Sequence, residues 1–522
     1  MSEFHVSALA ENDEKDEVKN TPMEEVNNAL KACKFGWFHL RLLYSALVGY
    51  TSGILVSNST AYILPKAECD LNMDLIQKGL LNAMPFFGML FSSVVAGFLT
   101  DTFGRKPFIL IGYGGVFIFT LIGGSSQNYE VLVTSKFFEG ALFATNFTPT
   151  LTLTSEFLHS GIRDRFMICQ SSFSALAQVI IAGMAWGVLT QNWQYVFFNG
   201  YFVLHTWNFF LYIVALWSLV AFVLYYFVPE SPKFLVSQQR YDEARKILIN
   251  IYMENTGKPA DTYPYVNIWK TNDKQTTDDD SKKLETTLAR QVVAGFRNAK
   301  PLFKKPLGFR LMLLSIVVCC SMVLYNIIRL WFPQLSTIVE HFGDGTRDLC
   351  VVLDAYTEVE RRIALNKTEL DICVPKESGA ETYINSIILG TSNFSAYFVT
   401  GMLVNKVGKK YLLLALGLVS FGATLALRWM SSKTAVVALF SLDASVSNSL
   451  IALYQAVVVE FFPTTTRSLA LSIIMLVGRI GTLLSNIAFP ILLKIGCVIP
   501  FYSLAGMMLF VTLLTTVLPR KK

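Results

Sequence analysis

A short basic loop between two apolar runs, Gly97 to Pro107, reads GFLTDTFGRKP and decides the fold. Its pattern recurs as GMLVNKVGKK from Gly401 to Lys410, 304 positions further along the chain. The same shift superposes three further pairs of residues: Glu156 on Glu460, Arg163 on Arg467, and Glu139 on Asp443. Several coincidences at one offset predict that the chain consists of two similar halves.

The composition places these halves in a membrane. Of 522 residues, 53% are apolar and only 16% are charged, whereas soluble domains average about 25% charged residues. Apolar runs long enough to cross a bilayer recur from end to end. The 44 basic and 38 acidic residues give a net charge of +6, too small to indicate binding to nucleic acid. Soluble enzymes, secreted disulfide scaffolds and disordered chains are excluded.

The apolar runs predict twelve membrane helices, six in each half, at 37–62, 79–100, 107–127, 131–155, 166–190, 208–228, 310–335, 382–404, 409–430, 434–459, 468–494 and 497–518. Lys and Arg cluster in the loops of one side, whereas the opposite loops at 126–130 and 191–205 carry neither. The positive-inside rule therefore places both termini in the cytoplasm. Parallel six-helix repeats are typical of secondary transporters that bind substrate near the bilayer midplane, between the halves.

The spans divide the chain into five parts: an acidic cytoplasmic tail (1–34), a six-helix bundle (35–228), a cytoplasmic linker (229–309), a second bundle (310–518) and a cytoplasmic tail (519–522). The second bundle includes an extracellular or luminal loop over 336–381, where Cys350 and Cys373 flank a sequon at Asn366. We expect glycosylation of Asn366. A Cys350–Cys373 disulfide is expected in an oxidising compartment, with free thiols as the open alternative.

Several segments resemble a known family. Gly97 to Pro107 resembles the loop 2–3 signature of the major facilitator superfamily, and Pro229 to Leu235, PESPKFL, resembles an element of sugar and organic-ion porters. Four others resemble synaptic vesicle glycoprotein 2 and its relatives: Tyr62–Glu68, Met184–Trp186, Trp331–Pro333 and the YDEARKIL run from Tyr241. The likeness covers about 35–520. It implies an all-α membrane protein with twelve transmembrane helices in two pseudo-symmetric six-helix bundles, the major facilitator fold.

The repeated basic loops are interpreted as a cytoplasmic gate. Glycine lets helix backbones approach closely where they cross, and Asp101 at a helix end can accept hydrogen bonds from Arg105. Asn405 replaces this acid in the second copy, which predicts a weaker latch there. The predicted gate residues are Gly97, Asp101, Gly104, Arg105, Glu156, Arg163, Glu230, Asn405, Gly408, Lys409, Glu460 and Arg467. An ordinary topogenic charge cluster is the alternative.

Arg479 stands about halfway along the eleventh span, where a charge costs at least ~2.5 kcal/mol. We interpret it as an anchor for a substrate carboxylate or a similar anion, because its planar fork of donors matches such a group. A structural salt bridge with an acid such as Asp443 is the alternative. Arg329, near the outer end of the seventh span, is interpreted as reaching along its helix to the membrane interface, with lining of an entrance as the alternative.

Two acids at equivalent positions, Glu139 and Asp443, are the candidates for ion coupling. Lys136 stands three residues before Glu139 and favours a local ion pair, so Asp443 is the better candidate. Polar and aromatic residues of the inner helices complete the predicted substrate pocket: Asn146, Gln178, Tyr325, Asn326, Tyr454 and Gln455. Each can instead hold helices together.

The chain departs from the vesicle glycoproteins at acidic positions. Gly53 and Val56 stand where those proteins carry an acid pair in helix one, and Gln455 replaces a carboxylate of helix ten. Losing these acids while keeping Arg479 favours an anionic or neutral solute over a cation. The departures leave uniport and exchange open beside proton coupling.

The sequence therefore predicts a secondary-active or facilitative transporter of a small organic solute, with an organic anion favoured, that works by alternating access. A non-transporting, vesicle-glycoprotein-like regulator that binds protein partners is the alternative. Neither an enzyme, a metal nor a cofactor is expected, since no such motif stands in a plausible context. The expected partners are the solute, the lipid bilayer and a proton or counter-solute, without nucleic acid. We expect a monomer in the plasma membrane or an intracellular vesicle membrane.

Overall fold

Helices dominate the computed structural model, which describes residues 22–269, 300–342, 348–365, 378–462 and 464–518. The described α-helices are α1 (Pro22–Ala32), α2 (Trp37–Asp70), α3 (Leu75–Phe103), α4 (Arg105–Gly124), α5 (Tyr129–Glu156), α6 (Ser160–Leu189), α7 (Thr206–Tyr226), α8 (Pro232–Ser237), α9 (Tyr241–Thr256), α10 (Leu307–Phe342), α11 (Leu349–Leu365), α12 (Ala380–Val407), α13 (Lys409–Ala426), α14 (Lys433–Phe461), α15 (Thr464–Ile495) and α16 (Val498–Val517). Strands β1 (Gln194–Phe197) and β2 (Phe202–His205) form an antiparallel hairpin between α6 and α7.

Twelve of these helices correspond to the predicted spans: α2–α7, α10 and α12–α16. Their lengths run from 18 residues in α13 to 36 in α10, which suits a hydrocarbon core about 30 Å thick. Among the described residues, ten helices are both long and apolar enough to cross a membrane. The remaining two, α3 and α5, contain 29 and 28 residues. The predicted twelve-helix fold is confirmed.

A glycine turn occurs at the same position of the sequence repeat in both halves. Gly104 separates α3 from α4 with a φ of 101°, and Gly408 separates α12 from α13 with a φ of 86°. Glycine adopts such positive φ angles without the steric cost that other residues incur. Because the two glycines are equivalent in the repeat, both halves reverse the chain in the same way at these turns.

The two halves meet along the helix pairs α2–α10, α3–α15 and α6–α12. At the outer end of the α3–α15 contact, a Cβ atom on Gly79 would lie 2.6 Å from the carbonyl oxygen of Asn486. The Lys494 ammonium lies 3.4 Å from the Asp74 carboxylate, and the Asn82 amide donates to the Leu330 carbonyl at 3.5 Å. The ends of the halves opposite the Gly104 and Gly408 turns, here called the outer ends after the predicted orientation, are therefore in direct contact.

The outer loop differs from the prediction. Cys350 in α11 forms a disulfide with Cys497, which lies 147 positions away between α15 and α16, so the predicted Cys350–Cys373 bond is wrong. The backbone N–H of Cys497 also donates to Asp354 of α11 at 2.8 Å. These bonds fasten α11 to the second half. Cys373 and Asn366 lie outside the described residues.

The predicted N-terminal tail contains a folded helix. Val26, Ala29 and Leu30 form the buried face of α1, which packs against α8 and α9 of the linker. The Tyr263 hydroxyl donates to the Ala29 carbonyl at 2.9 Å. Burial raises the pKa of the nearby Cys33 thiol to about 11, so this thiol stays neutral. The tail and linker thus share a small core of their own.

Candidate functional site

A charged cluster joins α4, α5 and the start of the linker, on the side that the sequence predicts to be cytoplasmic. The Arg105 guanidinium lies 3.1 Å from the Glu156 carboxylate. Glu230 accepts from the backbone N–H groups of Arg105 at 3.3 Å and Lys106 at 3.0 Å, where the positive end of the α4 dipole favours a carboxylate. A Cβ atom on Gly104 would lie only 2.6 Å from a Glu230 oxygen. The backbone turn and the absence of a side chain at Gly104 therefore allow this cluster to form.

The second half repeats the central ion pair. Lys409 and Glu460, at the positions equivalent to Arg105 and Glu156, form a salt bridge. Lys410 donates to the carbonyl groups of Thr516 and Leu518 at the end of α16, where the helix dipole favours a cation. Each of these ion pairs joins helices of a single half, so it orients the helix ends of its own half.

Other predicted gate residues are only partly described. The environments of Gly97, Asp101, Asn405 and Arg467 lie outside the described part of the structure. Arg163 lies exposed near the start of α6. The predicted bond between Asp101 and Arg105 therefore stays a prediction.

Arg479 stands near the middle of α15 and is partly buried. Its helix packs tightly on α10, since a Cβ on Gly478 or Gly481 would lie 2.3 Å from Met322 or 2.4 Å from Cys319. Within the described residues, no hydrogen bond or ion pair connects the Arg479 guanidinium to another side chain. A cation at this depth without a counter-ion needs another source of stabilisation.

The acid considered as a partner for Arg479 is engaged elsewhere. Asp443, fully buried in α14, accepts from Ser420 at 2.5 Å and from Thr424 at 2.6 Å, both in α13. Each carboxylate oxygen thus receives a hydroxyl group of the neighbouring helix. This geometry contradicts the alternative in which Arg479 and Asp443 form a structural salt bridge.

The equivalent acid of the first half has a different partner. Glu139 lies 2.8 Å from the Lys136 ammonium, and both side chains are fully buried. Lys136 also donates to Ser59 of α2 at 3.1 Å. The structure therefore agrees with the ion-pair interpretation of Glu139 and leaves Asp443 as the buried acid without a cationic partner among the described residues.

Two of the predicted pocket residues form hydrogen bonds between helices, and a third lies against Arg329. Gln178 of α6 accepts from Asn58 at 3.0 Å and borders Gly390 of α12, in the other half. Asn326 of α10 donates to Thr482 of α15 at 3.2 Å. Tyr325 lies beneath the Arg329 guanidinium, 5.2 Å from ring centroid to Cζ.

The other predicted pocket residues pack inside their own halves. Asn146 lies against Gly112 of α4, and its buried amide has no hydrogen-bond partner within the described ranges. The Tyr454 hydroxyl bonds to Thr515 of α16 at 2.7 Å. The Gln455 amide contacts the sulfur of Met475 at 3.6 Å. These contacts match the helix-packing alternative more closely than a shared pocket.

Two features were not predicted. Asn58, which lies inside the predicted first span, is buried and donates to Gln178 of α6. Arg329 does not stand at the end of its helix, since α10 continues to Phe342, and its buried Nε atom has no hydrogen-bond partner among the described residues. The spacing of Tyr325, Asn326 and Arg329 places them on one helical face, and this pattern could have indicated that Arg329 faces other side chains.

Comparisons with known proteins agree with this architecture. The sequence profile of the family described as "Sugar (and other) transporter" matches residues 41–303, and that of the Major Facilitator Superfamily matches residues 378–522. Human synaptic vesicle glycoprotein 2B is 23% identical over 326 residues, 60% of this chain and 46% of that protein. Rat synaptic vesicle glycoprotein 2A is 24% identical over 233 residues, 44% of this chain and 31% of that protein. The chain spans less than half the length of these relatives.

Solved transporter structures share the fold. The inward-open xylose transporter XylE from E. coli aligns with a TM-score of 0.61 at 16% identity, covering 92% of this chain and 97% of that one. The nucleoside transporter NupG aligns with a TM-score of 0.56 at 10% identity, covering 92% and 99%. With its paired six-helix halves and repeated glycine turns, this chain belongs to the sugar (and other) transporter family of the major facilitator superfamily.

Proposed function

We propose that this protein transports a small organic anion by alternating access, as a secondary-active or facilitative transporter. The observation that carries the proposal is the Arg479 guanidinium, which lies near the middle of a membrane helix without a counter-ion among the described residues. A carboxylate, sulfonate or phosphate group of a substrate would supply the missing charge and accept two parallel hydrogen bonds from the guanidinium.

Two buried lysines of the first half support this assignment by contrast. Lys136 is neutralised by Glu139, and Lys78 lies 2.6 Å from the Glu68 carboxylate. Both ammonium groups are fully buried. The fold therefore supplies acids to buried lysines, and the missing acid at Arg479 leaves a place for an anion from outside the chain.

Alternating access would use the two faces differently. The outer ends are held together by cross-half contacts such as Lys494–Asp74 and Asn82–Leu330, which must separate for the substrate to reach Arg479 from that side. On the cytoplasmic side, Arg105–Glu156 and Lys409–Glu460 would keep each half rigid as it tilts. Asp443 is the group we propose to test for ion coupling.

Transport is tested with purified protein in liposomes. The probes are hexanesulfonate and benzenesulfonate as permanently charged anions, and tetraethylammonium as a cation. We expect saturable uptake of at least one sulfonate, lost in Arg479→Ala and reduced in Arg479→Lys, which keeps the charge but loses the planar fork. Arg240→Ala is the matched control, because Arg240 is exposed and pairs with Glu243 at the start of α9. Anion uptake that does not depend on Arg479 would refute its role.

A partner-binding regulator is the second candidate. It draws support from the folded cytoplasmic core of α1, α8 and α9, and from the similarity to synaptic vesicle glycoproteins. Folded protein that transports none of the probes, but binds a cytoplasmic protein through this core, would favour that function.

A further inference from the structure

We infer that Arg329 is a second anion contact in the same site, and that the preferred substrate is an organic dianion whose two charged groups engage Arg329 and Arg479. This inference rests on the proposed function. It begins from one property that Arg329 shares with Arg479: neither has a carboxylate partner among the described residues. The Arg329 guanidinium donates to Asn326 at 2.8 Å and lies over the Tyr325 ring. Its buried Nε has no hydrogen-bond partner in the same described part of the chain.

The neighbouring contacts place Arg329 at the boundary between the halves. The next residue, Leu330, accepts from Asn82 of α3 at the outer closure. Arg329 therefore stands next to a residue that joins the two halves.

The distance to Arg479 follows from the contact between α10 and α15. Both helices run from the cytoplasmic to the outer side, and the Asn326–Thr482 hydrogen bond fixes their relative height. Arg329 stands three residues outward from Asn326, and Arg479 three residues inward from Thr482. At 1.5 Å per residue, the two arginines are about 9 Å apart along the helix axes.

Helical periodicity places both arginines on the faces along which α10 and α15 meet. Positions three apart share a helix face, so Arg329 follows the face of Asn326, and Arg479 follows the face of Thr482. The Asn326–Thr482 bond shows that these faces meet. A molecule with anionic groups at both ends, separated by a short apolar chain, fits two cations stacked in this way. A monoanion would leave one of the two guanidinium groups without a counter-charge.

The test compares hexanedisulfonate, which carries a sulfonate at each end, with hexanesulfonate, by equilibrium binding to the detergent-purified protein. We expect the wild type to prefer the dianion by about tenfold or more, the effect of one additional charge-assisted hydrogen-bonded contact. Arg329→Gln should bring the ratio of the two affinities close to one, because it should weaken binding of the dianion much more than binding of hexanesulfonate. Arg329→Lys should restore part of the preference, and Arg479→Gln should weaken both ligands.

The outcomes separate this inference from the proposed function. If Arg329→Gln weakens both ligands equally, or neither, Arg329 is structural and the inference fails while anion binding at Arg479 stands. If the wild type binds neither sulfonate, the proposed function fails as well. Arg240→Gln serves as the control for loss of an exposed arginine.

Discussion

Tyr356→Phe should shift the protein toward a state that is open on the outer side. Tyr356 belongs to α11, which the Cys350–Cys497 disulfide fastens to the second half. Its hydroxyl lies 3.2 Å from the ammonium of Lys78, on α3 of the first half. The substitution removes this hydrogen bond but keeps the ring and the Lys78–Glu68 ion pair. Opening the outer side separates α11 from α3, so only the closed state loses a contact.

The magnitude follows from the charge on Lys78. A hydrogen bond to a charged group contributes about 1.5–3 kcal/mol to a folded state. Applied to the closed state alone, this loss shifts the equilibrium between closed and open forms by roughly ten- to a hundredfold. Because both groups are fully buried, screening by salt should reduce the effect little.

Distances between two spin labels, measured by double electron–electron resonance, can follow the opening. Spin labels at Gln191 and Ile495 report on the outer ends of the two halves, after the free cysteines Cys33, Cys169, Cys319 and Cys320 are changed to serine. We expect a longer-distance population to grow in Tyr356→Phe. Tyr201→Phe is the matched control, because Tyr201 is 90% exposed in the hairpin. Identical distance distributions in wild type, control and Tyr356→Phe would refute the reasoning.

Three further predictions concern the buried ion pairs and the disulfide. Glu139→Gln leaves Lys136 as an unpaired buried cation, which should destabilise the protein by about 3–5 kcal/mol; Lys136→Met combined with Glu139→Gln should recover much of the thermal stability in detergent, and failure to recover would contradict the pairing. Arg105→Glu and Glu156→Arg should each lower uptake in liposomes, and the double exchange should transport better than either single variant if the pair itself matters. Cys350→Ser should lower stability by about 2–4 kcal/mol, and a reducing agent should lower the Tm of the wild type by more than that of Cys350→Ser, which retains the disulfide of Cys69.

The sequence was sufficient for the features that depend on local pattern. Apolar length determines a membrane helix almost by itself, because the bilayer requires every backbone group to be bonded within the chain. The repeat also predicts charged residues at equivalent loops of the two halves. In the structure, Arg105–Glu156 and Lys409–Glu460 form ion pairs at equivalent positions. The repeat also matched Glu139 with Asp443, although the two acids have different partners.

The sequence did not predict features that depend on how a helix is rotated about its axis or how high it stands relative to its neighbours. Cys350 and Cys373 are neighbours in sequence, but the partner of Cys350 is Cys497 because α11 folds back onto the loop between α15 and α16. Arg329 was placed near a helix end because hydropathy alone does not reveal that α10 continues to Phe342. Tyr454 was placed in the pocket because its polarity does not reveal which neighbour it faces.

The distribution of buried charge explains why substrate binding is best assigned to the second half. In the first half, the fully buried Lys78 and Lys136 each have an acid within 3 Å. In the second half, Arg329 and Arg479 have none among the described residues. The axial offset of ~9 Å and a lateral spacing of ~9 Å between packed helices put the two positions roughly 13 Å apart. At an effective dielectric constant of about 20, two cations at this distance repel by roughly 1.3 kcal/mol, in addition to the cost of burial. A dianion placed between them reverses the sign of this energy, so the same two arginines that strain the empty site would stabilise the loaded one.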